Sequence, residues 1–197
     1  MSRRSAWFLA ALLAVECGHE EPASVPDSTA LRAVDAQLSG ERVGPVPVSA
    51  SPASLARYAR VVRDTEELGS EGIAESVVVL AVRSDTVRAV HDSGRIYRME
   101  VNTLTFRTAD SLGVGTTLAR LLKEPGVYAV GGEGAVFVVV PRHCGMSFRL
   151  AESGGLGDAP SDSITSAQLR QLPPETRVSE VLVFGCRQPR ASSAPPR

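Results

Sequence analysis

The apolar positions of this chain fall into short runs whose spacing predicts several strands and two short helices. Ser76 to Val82 (Ser-Val-Val-Val-Leu-Ala-Val) is a nearly continuous β-branched run and predicts a buried strand. Thr86 to His91 and Arg95 to Val101 flank Asp92-Ser-Gly94, a hairpin signal, with Tyr97, Met99 and Val101 expected on the core face. Leu104 and Phe106 prolong the alternation into a loop at 108–115, and further strands are expected at 135–140, 146–150 and 178–184. A helix start is read at Ser51-Pro52, with Ser as N-cap and Pro at the first helical position. Leu55, Tyr58, Ala59 and Val62 then recur at helical spacing. Thr116-Thr-Leu-Ala-Arg-Leu-Leu122 is a second capped helix, stopped by Glu124-Pro125-Gly126. Gly131-Gly-Glu-Gly134 is expected to be a turn between that helix and the next strand.

These elements predict an α+β fold, short helices packed on an antiparallel sheet. Leu-Ala-Arg occurs at 55–57 and again at 118–120, each time before a set of strands, which divides a domain at 44–186 into repeats 44–107 and 108–186. Coincidence explains a three-residue identity as well as a repeat does.

The first residues have another character. Met1-Ser-Arg-Arg is a basic start, and Ala6 to Ala14 is an apolar run ended by Glu16. A membrane span needs about 20 apolar residues and a signal-peptide core roughly 7–15, so residues 1–16 are expected to be a signal peptide. Residues 17–43, rich in Pro, Ser, Asp, Glu and Ala, are expected to be a disordered tether, and 187–197 a disordered tail.

Leu13-Ala-Val-Glu-Cys17-Gly18 resembles the lipobox of bacterial lipoproteins, although Glu16 stands where those leaders carry Gly, Ala or Ser. The resemblance implies lipidation of Cys17 and a membrane anchor. The alternative is ordinary cleavage nearby, which releases a soluble protein. Phe106-Arg-Thr-Ala-Asp-Ser-Leu-Gly-Val-Gly-Thr-Thr-Leu-Ala-Arg-Leu, taken with the leader, resembles the glycine-containing turn and helix start of two groups of small envelope proteins. One is the outer-membrane lipoproteins of SmpA/BamE type, and the other is the tandem-repeat β-lactamase inhibitor proteins. The resemblance implies a fold and non-enzymatic binding, and names no partner.

With Cys17 acylated, Cys144 and Cys186 remain as an even pair in an oxidising compartment. Both sit at predicted strand ends, so a disulfide that clamps two strands is expected. His143 beside Cys144 invites a metal or thiol reading, but neighbours on a strand point to opposite faces and a zinc site needs four ligands at motif spacing. No metal, cofactor or catalytic residue is therefore assigned.

Charge narrows the partners. A net charge of -1, with Lys123 the only lysine and the arginines scattered, gives no support to nucleic acid. Gly113-Val-Gly-Thr-Thr lacks the lysine and spacing of a phosphate loop. The expected function is thus an exported, lipid-anchored, non-enzymatic binding or scaffolding module of the cell envelope, with an envelope protein as partner. One alternative is a secreted inhibitor or small-ligand binder, although five Phe, three Tyr and a single Trp in the leader supply few rings for it. The other is an enzyme using His91 or His143 as acid or base near Asp110 or Glu133.

Overall fold

The β-branched runs dominate what the chain builds. A computed structural model describes residues 35–69, 72–132, 134–156 and 164–186. Three two-residue strands, β1 (Leu38–Ser39), β2 (Arg42–Val43) and β3 (Val46–Pro47), form a small antiparallel sheet. The large sheet comprises β4 (Arg60–Leu68), β5 (Ala74–Val82), β6 (Asp85–Asp92), β7 (Arg95–Val101), β8 (Tyr128–Gly132), β9 (Ala135–Val139), β10 (Met146–Leu150) and β11 (Val178–Val183). Its order is β4-β5-β6-β7-β11-β10-β9-β8, all antiparallel, so two four-stranded meanders meet where β7 pairs with β11.

The expected α+β arrangement, helices on a sheet, does not form; the fold is predominantly β. The helices whose bounds are described are short: a 3-10 turn, Pro52–Arg57, and two four-residue helices, α1 (Leu118–Leu121) and α2 (Ser166–Leu169). Segments this short cannot stabilise themselves or present a continuous apolar stripe. Ser51 occupies the N-cap position, but its side chain makes no capping bond. The spacing of Leu55, Tyr58, Ala59 and Val62 was a misleading signal. Only Leu55 is fully buried, whereas Val62 lies at a bulge in β4 and is 49% exposed. The β-branched Val61 and Val62 instead continue the chain as a strand along β5, from Arg60 opposite Ala81 to Leu68 opposite Ala74. The two tandem helix-plus-sheet repeats fall with the fold class, although Leu55 and Leu118 are both fully buried ahead of opposite sheet edges. The second helix starts where its cap is expected, the Thr117 hydroxyl accepting from the Arg120 amide.

One face of the large sheet carries the main core, which includes Leu80, Val87, Met99, Phe148 and Val181. The small sheet, the 3-10 turn, the 102–117 loop and both helices cover that face through Leu38, Val43, Leu55, Phe106, Leu118 and Leu169. Leu38 and Val43 belong to the segment expected to be tether, so packing reaches back to Leu38. Residues 1–34, with the expected leader and Cys17, and 187–197 lie outside the described residues, as does Glu133.

Two further expectations change for one physical reason, local departures from strand period. His91 pairs with Ile96 and Val90 with Arg98, so Tyr97 is the extra residue of a β-bulge. Ile96 therefore faces the core with Met99 and Val101, while Tyr97 packs on the opposite face against Val77, Val79 and Val90. After Val101 the chain leaves the sheet, which buries Phe106 and leaves Leu104 exposed, so no strand runs through them. Gly131 and Gly132 end β8, and the turn that follows joins it to β9.

The opposite face is charged. Arg88 donates to Glu67 (2.7 Å) and to Glu100, and Arg98 donates to Glu100 (2.8 Å) and to both Glu75 oxygens (2.9 and 3.1 Å). Beneath them Val77, Val79 and Val90 are buried, with Tyr97 packed against them.

Candidate binding groove

At one end of the sheet, four separate parts of the chain converge on an open groove of about 1020 Å³. The β2–β3 segment supplies Arg42, Pro45, Pro47 and Val48; the exit of the 3-10 turn supplies Tyr58; β7 supplies Arg95, Ile96 and Tyr97; and the residues after β11 supply Phe184 to Cys186. Tyr58 and Phe184 are each 40% exposed, large rings left in water, whereas Phe106, Phe137 and Phe148 are buried. Arg42 is committed to structure, its Nε donating to the Gly44 carbonyl at 2.8 Å and its Nη2 to that of Pro45 at 3.3 Å. The exposed side chain of Arg95, which borders both this groove and a smaller depression beside it, makes no hydrogen bond or ion pair among the described residues.

Tyr97 forms the wall between this groove and a smaller depression of about 570 Å³ lined by Ile73, Glu75, His91 and Arg98. Its hydroxyl donates to Glu75 at 2.9 Å, and the Arg98 guanidinium lies 5.7 Å from its ring centre. Burial, and then the bond to the Glu75 carboxylate, push the phenol above its ordinary value, so the ring stays neutral and fixed. The arrangement offers aromatic faces, proline edges, the Glu41 side chain at its border and, among the described residues, one cation without a partner. Those are the means to hold a ligand that combines an apolar or ring-bearing part with an acidic group.

The floor is held by the expected disulfide. Cys144 and Cys186 are bonded, with Cα atoms 5.2 Å apart, just beyond the Met146–Val183 pair of β10 and β11. Backbones crowd here to a degree that only glycine permits. A Cβ on Gly40 would lie 1.8 Å from the Cys144 carbonyl oxygen, and one on Gly145 would lie 2.4 Å from the Gly185 backbone, with φ at +69°. The Phe184 amide donates to the Gly145 carbonyl at 2.7 Å, so the clasp sets where the Phe184 ring stands.

The histidines named from sequence lie in different places. His143 Nε2 is 3.1 Å from Asp110 Oδ1, which brings together one of the acid–base pairs considered. The Asp110 carboxylate is already occupied, however. The Thr108 hydroxyl donates to Oδ1 at 2.6 Å, and Arg142 pairs with Oδ2 while reaching the buried Glu124 at 2.5 Å. Arg120 pairs with Glu124 as well. The cluster therefore ties the 108–111 loop to the turn before β10. His91, opposite Ser76 and Ile96, has a buried Nε2 without a partner among the described residues.

Burial pushes the Asp110 carboxyl up, but the Thr108 and His143 bonds outweigh it and hold the group below its ordinary value. A depressed folded value gives stability that is present above the unfolded carboxylate pKa, about 3.9, and is lost as pH falls through the folded one. Asp110→Asn should accordingly flatten the acid limb of stability below about pH 4, measured by urea unfolding at stepped pH. An unchanged acid limb would mean that the cluster contributes nothing there.

Comparison with known proteins places the fold only. No family model matches the chain, and no curated protein does. Among solved structures, the chain is similar to the uncharacterized protein yfeY from Escherichia coli, with a TM-score of 0.53 and 18% identity over 75% of this chain and 99% of that one.

Proposed function

We propose that this chain is an exported binding module of the cell envelope, anchored by lipid on Cys17, that docks a segment of an envelope partner in the Tyr58–Phe184 groove. One observation carries the reading. In a chain with 5% aromatic residues, Tyr58, Tyr97 and Phe184 come from three distant segments to line one open groove beside the uncommitted Arg95. Exposed rings around a cation are the composition of binding hot spots, and a side chain retained there without an internal partner is available to an external one. The disulfide beneath the groove is compatible with an exported protein. The partner segment carries an apolar or proline-rich stretch and an acidic residue that meets Arg95.

The groove is tested with anilinonaphthalene sulfonate, an anionic aromatic dye that mimics this chemistry. We expect saturable binding at one site, weakened roughly tenfold by Tyr58→Ala or Phe184→Ala, which corresponds to about 1.4 kcal/mol, and weakened also by Arg95→Ala. Lys123→Ala should leave it unchanged. Equal binding by all the variants removes the groove from the proposal. Intact mass after expression in a diderm bacterium tests the anchor. Loss of residues 1–16 with an added acyl mass supports it, loss without acyl favours a secreted binder, and an unprocessed chain overturns export.

A further inference from the structure

We infer that β4 is an edge for self-association, along which two copies of this chain pair antiparallel about a two-fold axis at Thr65. The two borders of the large sheet differ. At β8, Ala129 is bridged to Ile164 and α2 packs alongside, so that border is partly closed. At β4, nine residues without proline have no strand on their outer side among the described residues. An edge of that length displays backbone donors and acceptors that a further strand can use.

A second observation points to what covers it. Val61, Val62 and Leu68 of β4, with Tyr58 before it and Ile73 after it, are five of the eight large apolar side chains exposed among the described residues. Leu68 is 78% exposed. Apolar groups gathered along one edge mark a contact surface.

The sequence of β4 then selects a second copy as the occupant. Facing side chains in an antiparallel pair lie on the same side of the sheet, so a two-fold axis between two copies must set one residue against its own counterpart. Centring on Arg63, Asp64 or Glu66 sets that charge against itself. Centring on Thr65 sets the Arg63–Glu67 pair that each copy makes within its own strand, at 2.6 Å, against the same pair of the second copy, so that each Arg63 also faces the other copy's Glu67. Arg63 and Glu67 lie on the same face of the sheet, opposite Val79 and Glu75 of β5. The same register sets Leu68 against the Val61–Val62 bulge, twice, and joins the two sheets into one. Asp64 opposite Glu66, also twice, is its like-charged pairing, and both side chains are exposed.

That pair makes the register testable on the full chain. With Thr65→Cys, mild oxidation of the purified protein should give a disulfide-linked dimer, at least tenfold more than Lys123→Cys gives, with wild type setting the background from its own cysteines. Adding Glu66→Lys or Asp64→Lys alone should increase the Thr65→Cys dimer, because each sets lysine against a carboxylate. The double change, which restores a like-charged pair, should return the yield to the parent level or below. Thr65→Cys linking no more than Lys123→Cys, or the two lysine changes adding rather than cancelling, overturns the inference. Dye binding in the groove is read separately, so failure here leaves the proposed function standing and the reverse also holds.

Discussion

Replacing Cys144 and Cys186 together by serine should lower the unfolding free energy by about 2–5 kcal/mol, the ordinary effect of removing a native disulfide from a small domain. The bridge spans 42 residues of sequence, including β10, α2 and the segment between them, and it joins the ends of two neighbouring strands. Without it the unfolded chain regains the freedom of that whole loop, while the folded chain loses the tie that holds Gly40 against Cys144 and Gly145 against Gly185. The effect should reach the groove, because the Phe184 amide bonds to the Gly145 carbonyl and Cys186 lines the same surface. Urea unfolding with and without reductant measures the stability change, and dye titration of the reduced protein measures the consequence for binding. A midpoint indifferent to reductant would show that backbone packing alone holds the clasp.

That disulfide was legible in the sequence because both cysteines border runs whose period identifies them as strands. The Asp92–Arg95 hairpin was legible for a similar reason, since Ser93 and Gly94 both take positive φ in its turn. β4 was not. Its residues are exposed on both sides, so Arg-Val-Val-Arg-Asp-Thr-Glu-Glu-Leu shows no alternation, and three preceding apolar positions happened to fit a helix. The bulge that turns Tyr97 away from the core leaves no mark in the local pattern. Thr165 and Gln168 form a reciprocal capping box at the start of α2, with Leu169 buried behind it. β1 and β2 are two residues each, too short for any period, although Leu38 and Val43 pack into the core. The groove was the least legible feature. Arg42, Tyr58, Arg95 and Phe184 share no motif, and only the packing of the small sheet, the 3-10 turn and the strand ends brings them together.

Glu100→Gln should cost about 3 kcal/mol, an effect larger than its single carboxylate suggests. Glu100 is 8% exposed and lies between two arginines, Arg88 and Arg98, each of which also bonds a second glutamate. Removing its charge leaves two partly buried guanidinium groups facing each other across a neutral amide. Breaking a buried pair costs about 3–5 kcal/mol, and the one-third exposure of Arg88 places this case at the lower end. Taking out the pair rather than one member is the informative contrast. Arg88→Leu with Glu100→Leu removes both desolvated charges, keeps Arg98 on Glu75, and extends the apolar surface formed by Val79 and Leu182, so it should cost less than Glu100→Gln alone. A second readout separates electrostatics from packing. Burial, and then the charge of Glu100, hold the Glu180 carboxyl above its ordinary value. A raised carboxyl contributes stability that is present below its unfolded pKa and is lost as pH rises through the folded one. In Glu100→Gln the Glu180 titration, followed by carbon NMR of its carboxyl, should move down toward the ordinary range. If it stays in place while stability falls, the loss comes from packing, and the alternating charges on this face are not acting as a network.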